Sequence, residues 1–397
     1  MTDAAEVAAR DSYGRLLALL SAATSDVVAA EDALADAFER AVTTWPSRGV
    51  PANPDAWLLS VARNRLRDWW KSAAYTRSAP LDVDPGFVVE VDVDRIPDRR
   101  LELMLVCAHP AIDRTVHTPL MLNTVLGFTA GQIGRAFSMP AATMATRLVR
   151  AKKRIKTAGI PFRIPDRDDL PGRMGAVLEA VYGAYVIDWA TTGPQSRPVP
   201  SEALHLAEVL AALAPHDPEA HGLAALVQLS AARAPARTGA SGRFVPLPEQ
   251  DPAFWDTALI TRAHDHLRAA HAEGRLGRFQ LEAAIQALHC ANNRDPDRAT
   301  LLQLHRTLHE LAPSLGGDVA LAAATAEVEG PLPALTLLDD VIAAAGDAGR
   351  RFQPARAARA HILGLLGRAQ EAAAEYDAAI ALTHDPAERR YLEDRKP

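Results

Sequence analysis

Cysteine is almost absent from these 397 residues: there are two, Cys107 and Cys290, far apart and outside any metal or redox spacing. That excludes a disulfide scaffold and fits a reducing, cytoplasmic setting in which both thiols serve as packing. Aromatic residues make up only 5% of the chain, and long Val/Ile/Tyr/Thr runs are missing, which argues against a sheet-rich fold. No apolar run reaches the roughly 18 residues of a membrane span, and Met1–Glu6 has no basic stretch leading into an apolar one. No contact with a membrane is therefore expected. Also missing are a phosphate-binding glycine loop, a nucleophile elbow and a zinc signature, so neither an enzyme nor a cofactor is expected. His264, His266 and His271 look like a metal cluster, but positions two apart point to different helix faces, and they read as scattered surface histidines.

What is present favours helix. Alanine is abundant beside Leu, Arg and Glu, and 48% hydrophobic with 23% charged residues is a globular composition, so the chain reads as all-α. Its length suggests two or three domains. The net charge of −6 argues against a generally basic surface, yet Arg147, Arg150, Lys152, Lys153, Arg154, Lys156 and Arg163 follow one another with no acid between them. Such a local cluster binds phosphate even on an acidic chain.

The chain divides into four zones. Residues 10–74 read as helices broken at Trp45-Pro46 and again at Pro51–Pro54. Residues 75–96 carry Asp82, Asp84, Glu90, Asp92 and Asp94 among prolines without helical period, and read as a flexible acidic linker. Residues 97–162 are helical again, and prolines 161, 165 and 171 mark the exit into the last zone, 166–397. There Ala372, Tyr376, Ala379 and Leu382 follow Leu366-Gly367-Arg368 with the small–aromatic–small spacing of a tetratricopeptide-like second helix, and Ala334, Leu338 and Ile342 read as an earlier copy. The Pro-, Gly- and Arg-rich stretch 234–252 reads as a long loop interrupting that array.

Two stretches carry the functional signal. Thr129 caps a short helix through Ala136; after Ser138-Met139-Pro140 a second helix begins at Ala141. Met144, Leu148, Ala151 and Ile155 form its apolar stripe, and Thr143, Thr146, Arg147, Arg150 and Arg154 lie opposite. This pattern is a helix-turn-helix whose second helix suits the major groove, where arginine bonds guanine edges and the Lys152-Lys153 end holds phosphates. The other stretch runs from Ala30 to Lys71. Its first helix turns Leu34, Ala37 and Phe38 inward and Glu31, Asp32, Asp36 and Glu39 outward. The next helix has Leu58, Ala62, Leu66 and Trp69 on a core face and Arg63, Arg67, Trp70 and Lys71 on another. Cations beside an indole suit a single strand held by phosphate contacts and base stacking.

The order of "AEDALADAFERAVTTWP", "PDAWLLSVARNRLRDWWK", a linker and "FTAGQIGRAFSMPAATMATRLVRAKKRIK" closely resembles extracytoplasmic-function RNA polymerase sigma factors over residues 10–156. The resemblance implies region 2 over 10–74, docking on core polymerase through Asp32, Asp36 and Glu39, with the loop from Trp45 to Pro54 and the following helix opening the −10 promoter element. It further implies region 4 over 97–162, with Thr143, Thr146, Arg147, Arg150, Lys153 and Arg154 reading the −35 element of promoter DNA. "LMLVCAHPAI", "ATMATRLVRAKKRIKTAGIPF" and Trp255-Asp256 resemble the subgroup with a tetratricopeptide-like extension, which implies a regulatory role for 166–397, in cis or through a bound regulatory protein. Two positions depart from that pattern: Val186–Ala190 replaces a Phe-Asn-Glu-Gly-Tyr stretch, and Ser138 replaces a common turn glycine. A transcription regulator with a sensing array and no polymerase docking is the alternative. It accounts for 97–162 equally well, but gives no role to the acidic helix and the tryptophan-bearing basic helix before it.

Overall fold

Asp26 shows how the chain is divided into helices. Its carboxylate accepts from the Val28 and Ala29 amides at 3.1 and 3.2 Å, stopping one helix and starting the next. The computed structural model describes residues 3–76, 98–137, 139–165, 169–191, 201–239, 242–291, 297–383 and 385–397; the linker expected at 75–96 and Ser138 fall almost wholly outside these. Among the described residues the fold is all-α, and the single β-bridge, Thr238–Phe244, belongs to no strand. Two compact units result, Met1–Ala184 and Tyr185–Pro397.

The first unit contains α1 (Asp3–Thr24), α2 (Val27–Arg48), α3 (Pro54–Thr76), α4 (Arg100–Cys107), α5 (Arg114–Thr124), α6 (Ala130–Ala136), α7 (Ala141–Thr157) and most of α8 (Pro171–Thr191). Leu16, Leu17, Leu20, Leu34 and Leu58 are fully buried where α1, α2 and α3 meet. Arg15 and Ser12 of α1 both bond Asp55 at the start of α3, which fixes the α1–α3 angle. The break expected at Trp45-Pro46 is not there: α2 runs on to Arg48. Proline lacks one donor, but a single missing bond in a last turn is tolerated, and the Gly49 amide still reaches the Trp45 carbonyl at 3.0 Å. Gly49, at φ 85°, makes the actual stop.

The proline-marked exit does not end this unit. Met174, Val177, Leu178 and Val181 on α8 are buried, and Arg173 donates to the Leu105 carbonyl at 3.0 Å. A Cβ on Gly183 would lie 3.7 Å from Leu122, so the first half of α8 touches α4 through Arg173 and approaches α5 at Gly183.

The second unit contains α9 (Ser201–Leu213), α10 (Pro218–Ala232), α11 (Thr257–Ala272), α12 (Arg278–His289), α13 (Arg298–Leu311), α14 (Leu315–Val328), α15 (Pro331–Ala345), α16 (Asp347–Arg350), α17 (Gln353–Leu365), α18 (Ala369–Leu382) and α19 (Pro386–Arg395). α10 is apolar and buried all round, packed against α9, α11 and α12. Glu219 on α10 caps α12 from outside, accepting from the Phe279 and Gln280 amides at 2.9 and 3.2 Å. Ala372, Tyr376 and Ala379 are buried, as the small–aromatic–small spacing predicts, and Ala334 and Leu338 join the core of α14, α15 and α17. The described residues of the stretch 234–252 include 3-10 turns at Ala234–Ala236 and Leu247–Glu249, and a third follows at Pro252–Phe254. The stretch reaches the last helix of the unit: Phe244 meets Tyr391 edge-on at 5.3 Å, and Glu249 pairs with Arg395 at 2.8 Å.

Gly222 marks a close helix approach in this unit. A Cβ there would lie 2.6 Å from the Gln280 amide nitrogen and 2.8 Å from the Phe279 carbonyl carbon. Alanine would add about 1 kcal/mol of helix propensity. Because the atoms it meets are backbone, no rotamer change relieves the crowding, and overpacking of about 1–3 kcal/mol wins. Gly222→Ala is therefore expected to lower the melting temperature of the full chain, as differential scanning calorimetry would show; an unchanged or raised value would contradict the close approach.

Candidate nucleic-acid interface

The α6–α7 pair is built by two local devices. Thr129 and Gln132 cap α6 reciprocally, at 3.2 Å for the Gln132 amide on Thr129 Oγ1 and 2.9 Å for the Thr129 amide on Gln132 Oε1. The turn then folds back so tightly that a Cβ on Gly134 would sit 2.6 Å from the Met139 carbonyl oxygen. This position demands glycine more directly than the turn itself. Met144, Leu148, Ala151 and Ile155 are buried, as their spacing predicts, and α7 packs on α5 and α6.

On the outer face Thr143, Thr146, Arg150 and Lys153 are exposed, and Val149 stands half exposed among them. The two remaining arginines are engaged within the domain. Arg147 is half-buried and donates to Thr115 Oγ1 at 2.5 Å, while Arg154 donates to the Ala111 carbonyl at 3.2 Å. Both therefore tie α7 to the α4–α5 connection and α5. Lys152, read from the sequence as a phosphate holder, is instead buried and paired with Glu31 at 2.5 Å.

On α2, Leu34 and Ala37 are buried and Phe38 half-buried, with Asp32 and Glu39 exposed. Asp36 pairs with Arg65 of α3 at 2.5 Å. Glu31 does not face outward, since Lys152 and Tyr13 both hold it. Burial, with Glu31 beside it, pushes the Tyr13 hydroxyl pKa up. On α3, Leu58, Ala62 and Leu66 are buried, but Trp69 is 49% exposed and not core. Trp69 instead lines an open cleft shared by the first turns of α2 and the end of α7. Trp70 is half-buried and Arg67 exposed, whereas burial lowers the Arg63 pKa; the Lys71 side chain lies outside the described residues.

A cleft of about 500 Å³ opens where α2 meets α3, lined among others by Arg40, Thr44, Trp45, Arg48 and Trp57. Trp45 and Trp57 meet edge-on with centroids 5.5 Å apart. Trp45 is 5% exposed, and its Nε1–H is buried without a protein acceptor among the described residues. Aromatic side chains beside two guanidinium groups are the kinds of group that base stacking and phosphate contacts use. Arg40, Thr44 and Arg48 recur every fourth residue, a signal the sequence offered and the proline break obscured. Among the described residues no group of three or more His, Cys, Asp or Glu is placed to hold a metal, and no helix is long and apolar enough to cross a membrane.

The site-bearing half now has a class. Residues 9–75 match sigma-70 region 2, which supports a sigma-70 family factor with a part in transcription initiation, and residues 173–271 match a domain family of unknown function, DUF6596. An uncharacterized protein of Rhizobium meliloti (strain 1021) is 34% identical over 376 residues, covering 91% of this chain and 88% of its own. This chain belongs to the same family as that rhizobial protein, along essentially its whole length. No solved structure matches it.

Proposed function

We propose that this chain is a compact sigma factor of the extracytoplasmic-function type, acting in the cytoplasm, which brings core RNA polymerase to particular promoters. The observation that carries the reading is a sigma-70 region 2 in one compact unit with a helix pair whose outer face is cationic. Asp32, Asp36 and Glu39 present carboxylates to core polymerase. The Trp45–Trp57 cleft takes a base of the opened −10 strand, and Arg63, Arg67, Trp70 and Lys71 continue that surface along α3. On α7, Arg150 reads base edges with Thr143 and Thr146, Val149 suits a thymine methyl, and Lys153 holds phosphate. Arg147 and Arg154 hold the angle of α7. The polymerase carries the catalysis and the chain needs no cofactor. The second unit is a tetratricopeptide-like array that regulates the factor, in cis or through a bound regulatory protein.

Reconstituted transcription with core polymerase on a promoter library tests this. The full chain is expected to select a defined promoter set. Arg150→Ala should lose about 1–3 kcal/mol on the cognate sequence and relax selectivity at one position. Lys153→Ala should weaken all sequences alike and reduce the salt slope by about 1. DNA binding without any binding to core polymerase would replace this reading by a plain DNA-binding regulator.

A further inference from the structure

The far end of α7 is not presented to solvent. Lys152 Nζ lies 2.5 Å from Glu31 Oε1 with both side chains largely buried, and Lys156 Nζ lies 2.6 Å from Asp26 Oδ2. Asp26 is the capping residue of α2, so the second pair is anchored to the first turn of the acidic helix. A third contact is steric: a Cβ on Gly14 of α1 would fall 1.8 Å from the Val125 carbonyl oxygen, just beyond α5. A Cβ added at Gly127 would lie 3.8 Å from the Tyr13 ring. Two ion pairs and one backbone-on-helix approach that only glycine permits thus join the packing of α1 on α4 and of α2 on α7 where the halves of the first unit meet.

This closure bears on docking. Asp32 and Asp36 open into a cleft of about 640 Å³ whose other wall includes Lys153 and Lys156 of α7. A partner helix is about 10 Å across with its side chains. Laid along Asp32–Glu39, it would meet those lysines, and its own cations would compete with them for the α2 carboxylates.

We propose that Lys152–Glu31 and Lys156–Asp26 latch α7 onto α2, and that this latched state blocks the polymerase-docking face until α7 swings away. The blocking role rests on the docking proposed above; the latch itself does not. Lys152–Glu31 carries most of the hold, because its largely buried charges are poorly screened, while Lys156 is more than half exposed. When the closed form holds about nine-tenths of the molecules, apparent affinity for core falls about tenfold.

The test uses the full chain with fluorophores at Thr43→Cys and Ala158→Cys, both exposed sites, the native thiols being buried. Lys152→Glu leaves α2 intact, so its affinity for core polymerase reports occlusion alone. It is expected to lower energy transfer between the dyes and to tighten core binding about tenfold. The swap Glu31→Lys with Lys152→Glu rebuilds the pair in reverse and should restore transfer, which misfolding would not do. Gly14→Leu, a wedge that touches no charge, should lower transfer as Lys152→Glu does. Unchanged transfer in Lys152→Glu and Gly14→Leu overturns the latch. Lowered transfer without tighter core binding overturns its blocking role. If no form binds core while transfer responds as expected, the latch stands, and the polymerase reading falls together with the blocking role.

Discussion

The double variant Asp32→Lys, Glu39→Lys is expected to fold normally and to lose more than about 100-fold in affinity for core RNA polymerase, since like charges facing each other across an interface cost several kcal/mol. Both residues are exposed on α2 and make no ion pair among the described residues. Reversing surface charges of that kind changes stability by less than about 0.5 kcal/mol. Asp36 is left in place on purpose. It pairs with Arg65 at 2.5 Å, so a lysine there would repel α3 and confuse lost docking with lost folding. Sedimentation or fluorescence anisotropy with labelled core would read the loss, and thermal melting of the free variant would confirm the fold. Wild-type affinity in a normally folded double variant would remove Asp32 and Glu39 from the interface.

Cutting the chain after Pro165 is expected to unfold much of the first unit, although both DNA-contacting stretches remain. The cut removes Met174, Val177, Leu178 and Val181, whose burial at about 1.5–3 kcal/mol each totals about 6–12 kcal/mol. That is of the order of a domain's entire net stability. It also leaves the Leu105 carbonyl without the Arg173 guanidinium. A chain ending after Thr191 keeps all of these contacts. Urea titration should show a cooperative transition for residues 1–191 and a broad or missing one for residues 1–165. Equal transitions would show that α8 contributes nothing to the first unit. Transcription lost on cutting at Pro165 would therefore say nothing about regulation, and the comparison that isolates the second unit is 1–191 against the full chain.

Much of the molecule was legible where chemistry is local. Periodicity placed the buried stripe of α7, Thr129 announced the cap of α6, and the spacing of Ala372, Tyr376 and Ala379 marked the inner face of α18. Charge and exposure were harder to read, because they depend on partners distant in the chain. Glu31 and Lys152 each look like solvated residues on an amphipathic helix, and 121 positions separate them. Arg147 faces away from its own stripe, yet Thr115 on another helix takes it up. Trp69 sits at a core spacing, but it lines an open cleft beside the first turns of α2. α8 was hidden by its position, since prolines before it look like a domain boundary when no contact is known. Pro46 misled in the opposite sense, because a proline in a last turn costs little once a glycine follows.

The contact between the 234–252 connection and α19 changes how the second unit should come apart. An open stack of helical pairs touches only its neighbours, so its ends fray independently and its unfolding spreads pair by pair. Here the Glu249–Arg395 pair joins residues 146 positions apart, and Phe244 on Tyr391 and Arg237 near Glu388 lie beside it. Closing so long a loop is slow, so these contacts form late in folding. Once formed, they make the last helix share the stability of the first ones. Amide hydrogens of α19, which in an open stack would exchange fastest, are then expected to exchange together with those of α10, and a protease is expected to need both ends of the unit open to cut either one.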